Sequence, residues 1–122
     1  MAAMKIAAHL LAVMLMAVAL ISSACNYTKP VMYINLSNSS GHAMRNVELM
    51  HPTGTFGLPE LRSGQTNQHM VPIGAPCKFK VKFEDEAGKM YTTDYDLGTK
   101  CPTEIAFTVG EGMTVSERQL RP

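Results

Sequence analysis

Apolar and polar residues alternate along most of the chain after residue 30, with the period of two that is typical of β-strands. The clearest segment is CKFKVKFE, residues 77–84, in which every second residue is apolar and the others are Lys or Glu. We expect one face of this segment to be buried and the other to be solvated. The inward residues are then Cys77, Phe79, Val81 and Phe83, and the outward ones are Lys78, Lys80, Lys82 and Glu84.

Six further segments are interpreted as strands because they carry β-branched and aromatic residues between turn-forming ones. They are VMYINL (31–36), MRNVELM (44–50), QTNQHMV (65–71), KMYTTDYDL (89–97), TEIAFTVG (103–110) and MTVSERQL (113–120), the last as an edge strand. SNSSG (37–41) and DEAG (85–88) are predicted turns. The Gly- and Pro-rich stretch 51–64 is expected to be irregular, apart from a short extended piece at Phe56.

No stretch after residue 30 shows sustained helical periodicity. About seven short strands in roughly 92 residues predict an all-β fold, a small antiparallel β-sandwich of immunoglobulin-like form. The chain has no Trp, so the buried tryptophan of antibody domains is missing. Residues 37–61, from SNSSG to GLPEL, resemble small immunoglobulin-like domains of uncharacterised bacterial envelope proteins.

The first 24 residues have a different pattern. Lys5 precedes IAAHLLAVMLMAVALI (6–21), and the small residues Ser22, Ser23 and Ala24 follow. This order predicts a secretory signal peptide over residues 1–24. The alternative of a transmembrane anchor is disfavoured, because an apolar helix needs about 20 residues to span a bilayer. Residues 25–30 then form a short tether, and residues 31–122 form the β-sandwich domain.

The segment ISSAC, residues 21–25, resembles the lipobox of bacterial lipoproteins. Ser23 and Ala24 match the two positions before the cysteine, and Ser22 stands where Leu, Val or Ile is usual. The resemblance implies that Cys25 carries a diacylglycerol thioether, and Asn26 after it implies sorting to the outer membrane. An ordinary signal-peptidase cut after Ala24 is the alternative, and it would give a secreted or periplasmic soluble protein.

The chain contains three cysteines, Cys25, Cys77 and Cys101. An odd number in an exported protein leaves one cysteine without an internal partner. We expect a Cys77–Cys101 disulfide, which the oxidising envelope permits, and a lipid on Cys25. Two buried free thiols are the alternative.

Three N-glycosylation patterns occur, at Asn26, Asn35 and Asn38, and they would suit a eukaryotic secreted protein. The segment SNSSG, which contains Asn38, is also rich in residues that favour turns. The bacterial interpretation is therefore preferred.

The composition does not point to nucleic acid. Lys5 is the only charge before residue 25, so ten Lys and Arg residues remain beside ten Asp and Glu residues. A neutral domain with mixed charges lacks the basic patch that nucleic acid requires. The stripe Lys78, Lys80 and Lys82 is interpreted as the solvated face of a strand.

No metal, cofactor or catalytic site is predicted. His42, His51 and His69 lack zinc spacing and are expected to be solvated loop residues. Asp94 and Asp96 share one strand face, which is expected to be solvated, and the six methionines after residue 25 are expected to pack in the core.

These observations favour a non-catalytic envelope lipoprotein that acts as a structural or protein-interaction module. It would hold the membrane through its N-terminal lipid and bind an envelope protein. The alternative is a ligand-binding domain that recognises a glycan or peptide through residues 51–64 and the loop before Cys77.

Overall fold

The computed structural model describes residues 30–122; the predictions for the signal peptide and for Cys25 lie outside these residues. The described part contains eight strands and one short 3₁₀ turn, Glu111–Met113. The strands are β1 (Val31–Asn38), β2 (Met44–His51), β3 (Gly54–Leu61), β4 (Thr66–Pro72), β5 (Lys78–Glu84), β6 (Met90–Asp96), β7 (Glu104–Val109) and β8 (Val115–Arg121).

The strands form two four-stranded sheets. The first sheet has the order β4-β1-β7-β8 and the second has the order β3-β2-β5-β6. All neighbouring strands are antiparallel except β1 and β7, which run parallel. The all-β sandwich predicted from the sequence is therefore confirmed. Its strand order is not that of immunoglobulin constant domains, where strands A, B, E and D share a sheet, because here β1 pairs with β4 and β7.

The sandwich has two ends, which are named here by their distance from the N-terminal segment. At the tether end lie Pro30, the turn 52–53 and loop 73–77; Ile73 N–H donates to the Pro30 carbonyl at 3.2 Å. At the far end lie loops 39–43, 62–65, 85–89 and 110–114. At this end, Ala43 N–H donates to the Glu86 carboxylate at 3.0 Å. The contact joins loop 39–43, between β1 and β2, to loop 85–89, between β5 and β6.

The core lies between the sheets and follows the predicted alternation. Cys77, Phe79, Val81 and Phe83 of the β5 segment are at most 3% exposed. Ile105, Phe107 and Val109 of β7 are fully buried opposite them. The Phe79 and Phe107 rings are 5.3 Å apart between centroids, which is a favourable tilted arrangement. The period of two thus identified the inward faces of both central strands correctly.

The expectation for residues 51–64 was wrong. Instead of a short piece at Phe56, β3 extends over Gly54–Leu61 and pairs with β2 along its whole length. The turn of Pro52 and Thr53 brings β3 back beside β2. Proline is tolerated in β3 because the strand lies at the edge of its sheet, where a missing N–H donor costs little. The count therefore rises from about seven strands to eight.

The Cys77–Cys101 disulfide is present, with the two Cα atoms 5.2 Å apart. Cys77 directly precedes β5 in the second sheet, and Cys101 lies shortly before β7 in the first. The bond thus joins the two sheets covalently at the tether end. Both cysteines are buried, at 0% and 7% exposure.

Candidate functional site: the outer face of the first sheet

The outer face of the second sheet is charged, and two of its lysines are paired with aspartates. Lys80 Nζ lies 3.8 Å from the Asp94 carboxylate, and Lys78 Nζ lies 4.0 Å from Asp96. In each pair, the lysine on β5 and the aspartate on β6 are register partners. Two lysines of the stripe, Lys78 and Lys80, and the two aspartates, which the sequence presents as separate features, therefore compensate each other, and Lys82 lies opposite Thr92. Both aspartates are exposed on one face of β6, as expected.

The outer face of the first sheet carries uncharged side chains over most of its area. We call it the uncharged face. The alternation of buried and outward residues and the strand register place on it Tyr33, Asn35, Ser37, Thr66, Gln68, Met70, Ala106, Thr108 and Ser116. Tyr33 and Met70 are register partners and are 39% and 62% exposed. Aromatic residues and methionine are enriched at the centres of protein interfaces, where charges are depleted.

Three charged residues also lie on the outer side of this sheet: Glu104 at the start of β7, where it is the register neighbour of Tyr33, and Arg118 and Arg121 on the edge strand β8. Glu104 accepts a hydrogen bond from Asn35 Nδ2 at 3.2 Å, and its other oxygen lies 3.3 Å from Arg121 Nε. Arg118 stands on the edge strand β8, opposite Ala106. A partner can therefore cover the centre of this face without removing an unpaired charge from water, a step that is otherwise costly.

Two of the three histidines in residues 30–122 were placed wrongly from the sequence. His51 ends β2 and His69 lies within β4, and both are half-buried. The ring of His69, on β4, stacks on the ring of Phe56, on β3, with the centroids 3.8 Å apart. The ring of His51, at the end of β2, lies 6.0 Å from the Phe56 ring between centroids. Burial, with the neighbouring His69 charge as a smaller cause, lowers the pKa of His51. This cluster closes the sandwich between β3 and β4.

The methionines also divide differently from the expectation. Met32 and Met44 are fully buried in the core, but Met50, Met70 and Met90 are 46%, 62% and 52% exposed. Alternation alone could have revealed the exposed group, because each of these three follows or precedes a residue that faces inward. They are surface residues, and Met70 belongs to the uncharged face.

At the far end, the carboxylate of Asp85 accepts hydrogen bonds from its own turn and from Tyr91. Its Oδ1 accepts hydrogen bonds from the N–H groups of Ala87 and Lys89, both at 2.9 Å, and its Oδ2 accepts one from Tyr91 Oη at 3.2 Å. The backbone N–H of Lys89 is the main cause that lowers the pKa of Asp85. The neighbouring cleft of about 330 Å³ lies between Ser40, Tyr91 and Met113. A carboxylate with three donors is a structural group of the DEAG hairpin.

At the tether end, the turn 52–53 of the segment named in the ligand-binding alternative lies against loop 73–77. A Cβ atom on Gly74 would approach Thr53 Cγ2 to 2.7 Å, so loop 73–77 packs tightly on the turn 52–53. Thr53 Oγ1 also donates to the Pro72 carbonyl at 3.0 Å. Beside them, Ile73, Lys100 and Cys101 line an open depression of about 690 Å³. Its volume is within the range of small-molecule sites.

The described residues assemble no metal cluster: residues 30–122 hold no group of three or more His, Cys, Asp or Glu side chains arranged to hold an ion. In the same range, no helix has the length and apolar character needed to cross a bilayer.

Fold and site together define a small β-sandwich domain with one charged and one uncharged sheet face. The chain is similar in structure to a protein from Eubacterium rectale solved by NMR, with a TM-score of 0.57 and 14% identity over 77% of this chain and 92% of that one. At this identity the likeness concerns the fold alone. No family model and no curated protein matches the sequence.

Proposed function

We propose that this protein is a non-catalytic interaction module of the bacterial cell envelope, held at the membrane by a lipid on Cys25. Its uncharged face binds a protein partner whose own contact surface is uncharged and partly apolar. The observation that carries the proposal is the contrast between the two sheet faces. One face carries charged residues, two lysines of which pair with aspartates at 3.8 and 4.0 Å, and the other leaves Tyr33 and Met70 exposed among hydroxyl and amide groups.

The chemistry of the face selects the partner. A strongly charged partner would lose the hydration of its charges on binding and would find no opposite charge at the centre of this face. An uncharged partner surface meets hydroxyl and amide groups that can exchange hydrogen bonds, with Tyr33 and Met70 supplying apolar contact. The charged residues of the second sheet make its outer face a poorer candidate, because charges are depleted at the centres of interfaces.

The start of the domain supports a position close to the membrane. Pro30 lies at the tether end and contacts loop 73–77 through Ile73. The five residues from Asn26 to Pro30 can reach at most about 17 Å when fully extended. A lipid on Cys25 would therefore hold the sandwich within reach of envelope proteins that lie at the membrane surface.

The test compares the same substitution on the two faces. Thr108 lies outward on β7 of the first sheet, and Thr92 lies outward on β6 of the second. Each variant is purified from membranes with a tag, and its retained partner is quantified. We expect Thr108→Lys to weaken retention at least about tenfold, equivalent to about 1.4 kcal/mol, and Thr92→Lys to retain the partner as the unmodified protein does.

Loss of the partner in both variants, or in neither, would contradict binding through the uncharged face. Failure of the unmodified protein to retain a stoichiometric partner would contradict the interaction role itself. Both variants are first checked for an unchanged unfolding transition, because a misfolded domain would also lose its partner.

A second candidate function rests on the tether end, where the turn 52–53 and loop 73–77 pack together beside the open depression. A glycan or peptide of the cell wall is the ligand class considered. Saturable thermal stabilisation by a cell-wall fragment, reduced by Lys100→Ala but not by Thr108→Lys, would favour this function over the first.

A further inference from the structure

The four sheet edges of the described domain differ in how they are protected against pairing with another strand. Exposed edges offer free backbone N–H and C=O groups, and proteins usually guard them with charges, proline or inward-pointing ionisable residues. β8 carries Arg118 and Arg121, and its Glu117 points toward the interior with one carboxylate oxygen buried. β6 carries Asp94 and Asp96.

The two remaining edges lie together on the other side of the sandwich. β3 contains Gly57, Pro59 and Glu60, which weaken or interrupt strand pairing. β4, with the sequence TNQHMVP, has no Asp, Glu, Lys or Arg, and its proline is the last residue of the strand. Its one ionisable side chain, His69, faces inward and stacks on Phe56. β4 is thus the least protected of the four edges in residues 30–122.

The hydrogen-bond register shows which groups of β4 are free. The N–H of Ile73 donates to Pro30, and Gln65 accepts from the N–H of Asn38, so the odd-numbered residues of this segment face β1. In an antiparallel ladder the alternate residues direct their N–H and C=O groups to the opposite side. Thr66, Gln68 and Met70 therefore direct both groups to the free edge. Pro72 has only a carbonyl there, and Thr53 Oγ1 already donates to it at 3.0 Å.

We propose that β4 pairs with β4 of a second copy of this chain, antiparallel and centred on Gln68, to form a continuous eight-stranded sheet. In this register Gln68 lies opposite its own counterpart, and Thr66 lies opposite Met70 of the other copy. Three residues on each side exchange both backbone groups, which gives about six hydrogen bonds.

A second copy is favoured as the occupant because this register is self-complementary. The same three residues supply every donor and every acceptor, and no like charges meet across the junction. The side chains of Thr66, Gln68 and Met70 also lie on the uncharged face, so pairing joins two such faces into one surface. The inference does not depend on the partner proposed above, since it uses the edge of the sheet and not its face.

The experiment uses cysteine cross-linking in the full chain. In the proposed pair, the two copies of residue 68 have Cα atoms about 5.5 Å apart, which is within the range of a disulfide. Asn35 is the register neighbour of Gln68 on β1, and its two copies would be about 14 Å apart, three strand spacings. Under mild oxidation we expect Gln68→Cys to form about tenfold more dimer than Asn35→Cys.

Two further variants test the register and the backbone bonds. Thr66→Cys combined with Met70→Cys should cross-link, whereas Thr66→Cys alone should not. Gln68→Pro removes an N–H that faces the free edge, so the β1–β4 ladder keeps its bonds. We expect it to abolish the dimer of the otherwise unmodified chain in sedimentation measurements while the unfolding transition is retained.

Equal cross-linking of Gln68→Cys and Asn35→Cys would overturn the proposal, because it would indicate random collision or contact between sheet faces. A monomeric unmodified chain that binds an extended peptide along β4 would also overturn it. In either case the Thr108→Lys comparison would still decide the function of the uncharged face by itself.

Discussion

At the scale of single residues, Asn38 is the polar side chain on which the far end depends. It is 1% exposed. Its Nδ2 donates to the carbonyl oxygens of His42 and Leu61 at 2.7 and 2.8 Å, and its Oδ1 accepts from the N–H and the hydroxyl of Ser40. One amide thus joins β1, the following turn and the end of β3. A glycan on Asn38 is incompatible with this packing, so that sequence pattern is not a modification site in the folded domain.

Replacing Asn38 with Ala should lower the free energy of unfolding by about 3 kcal/mol, because buried carbonyl groups lose their donors. Urea unfolding measures this change, with the m-value expected to stay constant. Ser37→Ala is the control: its hydroxyl lies in an exposed contact with Thr66, and its effect should remain within about 0.5 kcal/mol. Equal effects of the two substitutions would contradict the role of Asn38.

The histidine cluster makes stability depend on pH. The pKa of His51 in the folded protein lies below its ordinary value of 6.5, chiefly because burial disfavours the imidazolium. The unfolded chain therefore binds this proton more tightly. The site costs no stability well above pH 6.5 and destabilises the fold as the pH falls through 6.5 toward the folded pKa.

We expect the unfolding temperature to decrease when the pH is lowered from about 7.5 to about 5.5. His51→Gln should make this decrease smaller. His42→Gln is the control, because His42 lies at the far end and outside the cluster. Thermal unfolding followed by circular dichroism at both pH values measures the difference. The prediction fails if His51→Gln and His42→Gln show the same pH dependence as the unmodified protein.

At the scale of elements, the disulfide ties the start of β5 to the segment before β7. It closes a loop with a sequence separation of 24 residues, for which the chain-entropy relation gives about 3–4 kcal/mol. The Cys77→Ala/Cys101→Ala double variant should lose this amount in urea unfolding. Reductant should destabilise the unmodified protein equally and leave the double variant unchanged. A variant as stable as the unmodified protein would show that the bond adds nothing to stability.

The strands differ in how well the sequence alone predicts them. β5 and β7 alternate regularly because one face of each is buried and the other is partly wet. β3 was missed because Gly and Pro hide its pattern, and pairing with β2 overrides those weak local preferences. Pairing along a whole neighbouring strand is a tertiary property that the composition of one segment does not report.

At the scale of the whole molecule, the proposed membrane anchor is a lipid on Cys25. We expect the intact mass of the mature protein from membranes to correspond to a chain that begins at Cys25 with two or three acyl chains. Reductant should then raise the mass by about two daltons, the two hydrogens gained when one disulfide opens. Cys25→Ser should release the protein from membranes. A mature chain without lipid would contradict the anchor and favour a soluble exported protein.

The sequence by itself determined the class of fold, most strand positions and the inward faces of β5 and β7, because a period of two is a local property of extended backbone. The cysteine pair was predicted separately, from the odd count of three cysteines. The tertiary structure decided which outward residues became neighbours. Lys80 meets Asp94, Phe56 stacks on His69, and Tyr33 lies beside Met70. These contacts depend on sheet order, which brings together strands far apart in the chain. For the same reason, the uncharged face and the free edge of β4 emerge only when the two sheets are assembled.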